Sequence, residues 1–218
     1  MIVSPDSPYL ADAPRRLARP DVEGSEMQTF APSVLTSRVL PKTRVAAVVA
    51  VVSFAALTAV AAQWVITLPF TPVPITGSTF AVLLSGAALG WRLGAASQAL
   101  YLVAGIVGLP VFAEGGSGLA TFAGSTAGYL VGFIFAAALV GRLAENRQDR
   151  HVSTTVSAFL AGSGVIYAFG VAGLMINFGW DINEAILKGV APFVFGDVLK
   201  AVAAGVLLPV TWRLLGDK

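Results

Sequence analysis

From Val45 onward the chain is a succession of apolar runs separated by short polar, glycine or proline breaks. Val45–Ile66 is long enough to span a membrane, because about 20 residues rising about 1.5 Å each cross the hydrocarbon core. Thr79–Leu89 and Leu93–Leu109 form a pair split by Gly90-Trp91-Arg92, and the first of them is short for a span. Thr126–Leu143, Val152–Phe178 and Ala191–Leu215 complete the series. The pattern predicts an all-α integral membrane protein, a bundle of six transmembrane helices over residues 41–218. Residues 1–40 are different material, with five prolines, mixed charges and no apolar run. They read as a disordered tail, too poor in apolar side chains to pack a core.

Composition agrees with a membrane location. Hydrophobic residues make up 56% and charged residues 12% of 218, where a soluble domain averages about 25% charged. The positions of the basic residues orient the bundle. Arg15, Arg16, Arg19, Arg38, Lys42 and Arg44 precede the first run, Arg92 splits the second from the third, and Arg142, Arg147 and Arg150 separate the fourth from the fifth. Arg213 and Lys218 follow the last. With six spans all of these fall on one side, and the positive-inside rule makes that side, with both termini, cytoplasmic. The protein is then a multi-pass protein of the cell membrane.

Two charges break the last apolar run. A Lys or Asp near the centre of a membrane helix costs about 2.5–3.5 kcal/mol on insertion scales, so such residues normally face a partner or a cavity. Asp197 and Lys200 are three apart, which puts them on one helix face. Chemistry of other kinds has no foothold. The chain has no cysteine, so no disulfide or thiol nucleophile is available. All four lysines follow a residue other than glycine, which rules out a Walker A loop and ATP hydrolysis by that route. The single histidine, His151, falls in a basic loop. Small residues recur at spacings of four, at Gly86/Gly90/Gly94, Gly124/Gly128/Gly132, Ala46/Ala50 and Ala55/Ala59, and such faces let helices approach closely in lipid.

Two connections on the side away from the arginines stand out. Leu68–Gly77 carries three prolines and no charge, so it is stiff and extended. Leu109–Gly118 is apolar and then glycine-rich, the pattern of either an ordinary mobile connection or a lid carrying Phe112 and Glu114 over an outward-facing cavity. The runs Pro69-Phe70-Thr71-Pro72-Val73-Pro74-Ile75-Thr76, Gly105-Ile106-Val107-Gly108-Leu109-Pro110-Val111-Phe112-Ala113, Gly128-Tyr129-Leu130-Val131-Gly132-Phe133 and Pro192-Phe193-Val194-Phe195-Gly196-Asp197-Val198-Leu199-Lys200 resemble, in that order, the BioY family. The chain departs from the family's usual wording at Gly77-Ser78 and at Gly124–Gly128. The resemblance implies a biotin-binding S component of an energy-coupling-factor (ECF) transporter. Its partners would be biotin, a transmembrane coupling subunit, a pair of cytosolic ABC ATPases and the bilayer. It implies no enzyme activity, no cofactor and no nucleic acid.

Biotin presents two urea N–H donors, a urea carbonyl, a thioether ring and a carboxylate on an aliphatic tail, and a dry pocket must satisfy each polar group. Asp197 has the chemistry to accept from the urea N–H groups, and Lys200 to donate to the urea carbonyl or to the carboxylate. The expected site is Asp197 and Lys200, with Tyr101, Tyr129 and Phe112 lining the apolar part and Glu114 on the lid above. The resemblance further implies that the coupling subunit docks on a small-residue face of the first span, Ala46/Ala50 or Ala55/Ala59.

Overall fold

The structure, a computed structural model, describes residues 34–216 apart from the side chains of residues 122 and 123. The expected tail lies outside the described residues as far as residue 33. Its last residues depart from the expectation, because packing begins before residue 40. Val34 is fully buried, α1 (Thr36–Val39) follows, and the Thr36 hydroxyl donates to the Ala88 carbonyl at 2.9 Å.

The apolar runs become helices α2 (Arg44–Ala62), α3 (Ser78–Leu89), α4 (Trp91–Ile106), α5 (Ala127–Glu145), α6 (Val152–Phe178) and α8 (Ala191–Leu214). Four of these, α2, α5, α6 and α8, are long and apolar enough to cross a membrane. At 12 and 16 residues, α3 and α4 reach only about 18 and 24 Å. An element absent from the apolar pattern is α7 (Ile182–Gly189), a short helix capped by the Asp181 side chain, which accepts from the Glu184 N–H at 2.9 Å. The first apolar run ends early. Val65–Ile66 leaves the helix to pair as β1 with β2 (Ile75–Thr76), Val65 opposite Thr76, closing the proline-rich loop at its base.

Helix α5 is central, packed against α3, α4 and α6, while α2 lies on α3 and α4, and α8 on α6. Glycines permit the closest crossings. A Cβ on Gly86 would overlap the Ala137 carbonyl, and one on Gly128 the Phe169 carbonyl, so α5 meets its neighbours backbone to backbone. Gly90, at φ 82°, is the left-handed hinge between α3 and α4.

Hydrogen bonds knit each end of the bundle. At the arginine-rich end, Glu145 accepts from the Trp91 N–H, and Asp149 from the Trp212 indole. At the opposite end, Thr71 donates to the Lys188 carbonyl, Ser125 to the Pro72 carbonyl and Asn177 to the Gly124 carbonyl. Both loops and α7 thereby form one roof.

Candidate functional site

Beneath that roof lies a cavity whose wall contains Asp197, Lys200, Tyr101, Tyr129 and Phe112. Five of the six expected ligand-contacting residues therefore meet in space. They come from four stretches of chain: α4, the loop after it, α5 and α8. Asp197 and Lys200 share one face of α8, as their spacing requires.

Asp197 is 5% exposed and held from three sides. Its Oδ1 accepts from Lys200 Nζ at 2.9 Å and from the Thr79 hydroxyl at 3.2 Å, and its Oδ2 accepts from the Tyr167 hydroxyl at 2.6 Å. Lys200 completes the network by donating to Thr79 Oγ1 at 2.7 Å and to the Thr76 carbonyl at 2.9 Å. An ammonium group has three donors and no acceptor, and all three are used. The pair is neutral overall and fully hydrogen-bonded, the condition under which a buried ion pair is tolerated. A ligand group that takes a hydrogen from Lys200 must replace one of these bonds.

The rest of the wall is apolar. Tyr101, 2% exposed, meets Phe112 edge-on at 5.5 Å between centroids and stacks on Phe133 at 6.5 Å. Leu130, Ile166 and Phe193 add aliphatic and aromatic surface. The Tyr129 ring lies against Gly170, where no Cβ would fit, and its hydroxyl donates to the Gly189 carbonyl at 2.7 Å. Tyr129 thus offers its ring to the cavity while its polar tip is committed to the end of α7. The cavity is polar at one end and aromatic at the other, suited to a small ligand with a hydrogen-bonding head and an apolar body.

One expectation needs correction. Glu114 does not line this cavity. It is exposed, with φ 58°, and faces a separate vestibule together with Thr67, Thr121 and Ser125. The tight turn through Glu114 and Gly115, both in the left-handed region, points Phe112 inward and leaves the carboxylate outside. In each alanine pair of α2 one member is buried and the other half-buried. Ala50 and Ala55 are 4% and 7% exposed, Ala46 is half-buried beside Ala50, Leu89 and Leu93, and Ala59 is half-buried against the main core. The exposed side of α2 is Val45, Val48, Val49, Val52, Leu57 and Val60.

Sequence reasoning missed Thr76, Thr79 and Tyr167. A tyrosine mid-span was a usable signal for Tyr167, since a buried hydroxyl needs a partner. Thr79 carried no such signal: its contact with Asp197 spans 118 positions of sequence.

Both the sequence and the fold are similar to those of known proteins. The chain is 43% identical over 149 residues to "Biotin transporter BioY" of Rhizobium etli, covering 65% of this chain and 79% of that protein. It is 41% identical over 155 residues to "Biotin transporter BioY" of Thermotoga maritima, covering 71% and 88%. The fold matches the crystal structure of the S-component for biotin from an ECF-type ABC transporter, with TM-score 0.69 and 22% identity over 80% of this chain and 93% of that one. Residues 32–217 match the family description "BioY family", and with relatives this similar over most of their length the chain belongs to the BioY family.

Proposed function

We propose that this chain is the membrane-embedded biotin-capturing S component of an ECF-type ABC transporter, with ATP hydrolysis supplied by partner subunits. The observation that carries the reading is the Asp197–Lys200 pair on the wall of an otherwise largely apolar cavity. Relatives of this chain are named as biotin transporters, and a protein of the same fold as an S-component for biotin. The absence of a Walker A loop from the sequence is consistent with capture here and energy supply elsewhere.

In this reading Asp197 accepts from the urea N–H groups, and Lys200 donates to the urea carbonyl or the carboxylate. Tyr101, Tyr129 and Phe112 surround the apolar part. Tyr167 and Thr79, by donating to Asp197, fix the angle of its carboxylate. The Thr76 carbonyl is the partner Lys200 exchanges at least cost, because it lies at the end of a loop rather than within a helix. The short α3 and α4 act as the second and third of six spans, both termini are cytoplasmic, and the roof faces outward, where the ligand arrives.

The test is equilibrium binding of labelled biotin to the purified protein, with desthiobiotin, thiamine and riboflavin as competitors. Saturable binding displaced by desthiobiotin and untouched by the other two vitamins is expected. No saturable biotin binding would overturn the reading.

A further inference from the structure

The roof contains a device that the biotin reading does not use. Phe112 is 2% exposed and borders both the inner cavity and the vestibule above it, as do Pro74, Ala113 and Thr126. Its ring is the partition between the two. It is seated on the backbone of Gly105, where any Cβ would overlap the ring, and against the edge of Tyr101. The turn carrying it is closed on itself by Phe112 N–H to the Gly116 carbonyl at 3.1 Å and Gly116 N–H to the Ala113 carbonyl at 3.0 Å.

One side chain ties that turn to the bundle. Gln63, just past the end of α2, donates through Nε2 to the Phe112 carbonyl at 3.1 Å and to the Val111 carbonyl at 3.4 Å. The same nitrogen lies 3.1 Å from the Ala59 carbonyl on α2, so its two hydrogens are shared among three carbonyls, and Oε1 accepts from the Gly115 N–H at 3.3 Å. A primary amide suits this task because it donates and accepts from one planar group. It grips the turn at three backbone positions and touches neither Asp197 nor Lys200.

We propose that Gln63 is a positioning residue, a latch that holds the Phe112 plug shut and so sets how fast ligand exchanges with the inner cavity. The inference rests on the reading of that cavity as the biotin site. A latch present in both empty and occupied protein slows entry and exit alike. Its removal raises both rate constants by a similar factor and leaves Kd nearly unchanged.

The chain has no cysteine, so Leu130→Cys, on the cavity wall, gives a reporter that needs no biotin. The experiment measures its labelling by a small charged thiol reagent, with Gln63 intact and with Gln63→Ala, alongside biotin association and dissociation rates for wild type and Gln63→Ala. Labelling and both rate constants are expected to rise about three- to tenfold, the scale of one or two net hydrogen bonds, with Kd within about twofold. Unmoved labelling overturns the latch, as does faster dissociation alone with weaker Kd, which marks a ligand contact instead. Faster labelling in a protein that binds no biotin leaves the latch standing and removes the biotin reading. Unmoved labelling in a protein that does bind biotin has the opposite meaning. Should Gln63→Ala not survive purification, Gln63→Met, which keeps the length and loses the amide, carries the same test.

Discussion

The two ends of the bundle each hold a buried aspartate built to the same plan, and of the two only Asp197 lines the cavity beneath the roof. At the roofed end Asp197 pairs with Lys200 and takes a 2.6 Å hydrogen bond from Tyr167. At the arginine-rich end Asp149 pairs with Arg150 at 3.3 Å and takes a 2.6 Å hydrogen bond from the Trp212 indole. The Arg150 guanidinium then lies 3.1 Å over the Trp212 ring, and both Asp149 and Trp212 are buried, at 3% and 1%. This second knot fastens the loop between α5 and α6 to the end of α8. A buried charge with its hydrogen bonds satisfied marks a structural fastening unless it also faces space that a ligand can enter. Asp197 and Lys200 meet that further condition.

The comparison breaks most visibly at Lys200. Lys200→Ala leaves the Asp197 charge buried without its cation, and biotin affinity should fall by at least about a hundredfold while the protein still inserts and purifies. Retention of wild-type affinity by both Lys200→Ala and Asp197→Asn would remove the site assignment. Tyr167→Phe takes away one donor to Asp197 and keeps the ring. Equilibrium binding should weaken by about tenfold, the scale of a hydrogen bond to a charged group, and an unchanged Kd would make Tyr167 a bystander.

At the other end the readout should invert. Trp212→Phe removes the indole donor from a buried carboxylate and should lower unfolding stability by about 1–3 kcal/mol, measured by thermal unfolding in detergent, with biotin affinity untouched. Altered affinity would mean that the two knots are coupled. The smallest effect is one of pH. Burial pushes the Asp149 carboxyl up from its ordinary 3.8, against the Trp212 hydrogen bond and the Arg150 charge. A raised value means that the folded state holds this proton more tightly than the unfolded chain. The associated stability is complete below about 3.8 and is lost as pH rises through the folded value. Asp149→Asn has no such proton, so thermal unfolding from about pH 4 to pH 7 should show a flatter pH profile for the variant than for the wild type. Parallel profiles would show that Asp149 does not titrate in this window.

Much of the helical framework was legible because each piece of it is local. The fifth apolar run, Val152–Phe178, coincides with α6, and the last differs from α8 by one residue. The Asp197–Lys200 face was legible for the same reason, since a spacing of three is a property of one helix. The α7 helix escaped notice because eight residues with Glu and Lys, behind the Asp181 cap, read as a polar connection until its capping and its place in the roof are seen. The placement of Glu114 outside the cavity and the burial of Ala50 and Ala55 were not legible. Sequence says that a loop carries a carboxylate and a helix a small-residue stripe, but not which way a turn or a helix face is rotated.

The sequence by itself determined that this is a membrane chain, where its long helices run, and that two charges in the last of them face the same way. Composition, hydrophobic period and desolvation cost act over a turn or two of backbone and need no knowledge of neighbours. Only the tertiary structure decided that Thr79, 118 positions away in sequence, and Tyr167 complete the Asp197 network, and that Phe112 rests on Gly105 as a partition. It alone decided, too, that Asp149 is buried against Trp212 while Asp197 lines a cavity. These are outcomes of how helices cross and loops fold back, and glycine-permitted backbone contacts set those crossings only when the whole bundle closes.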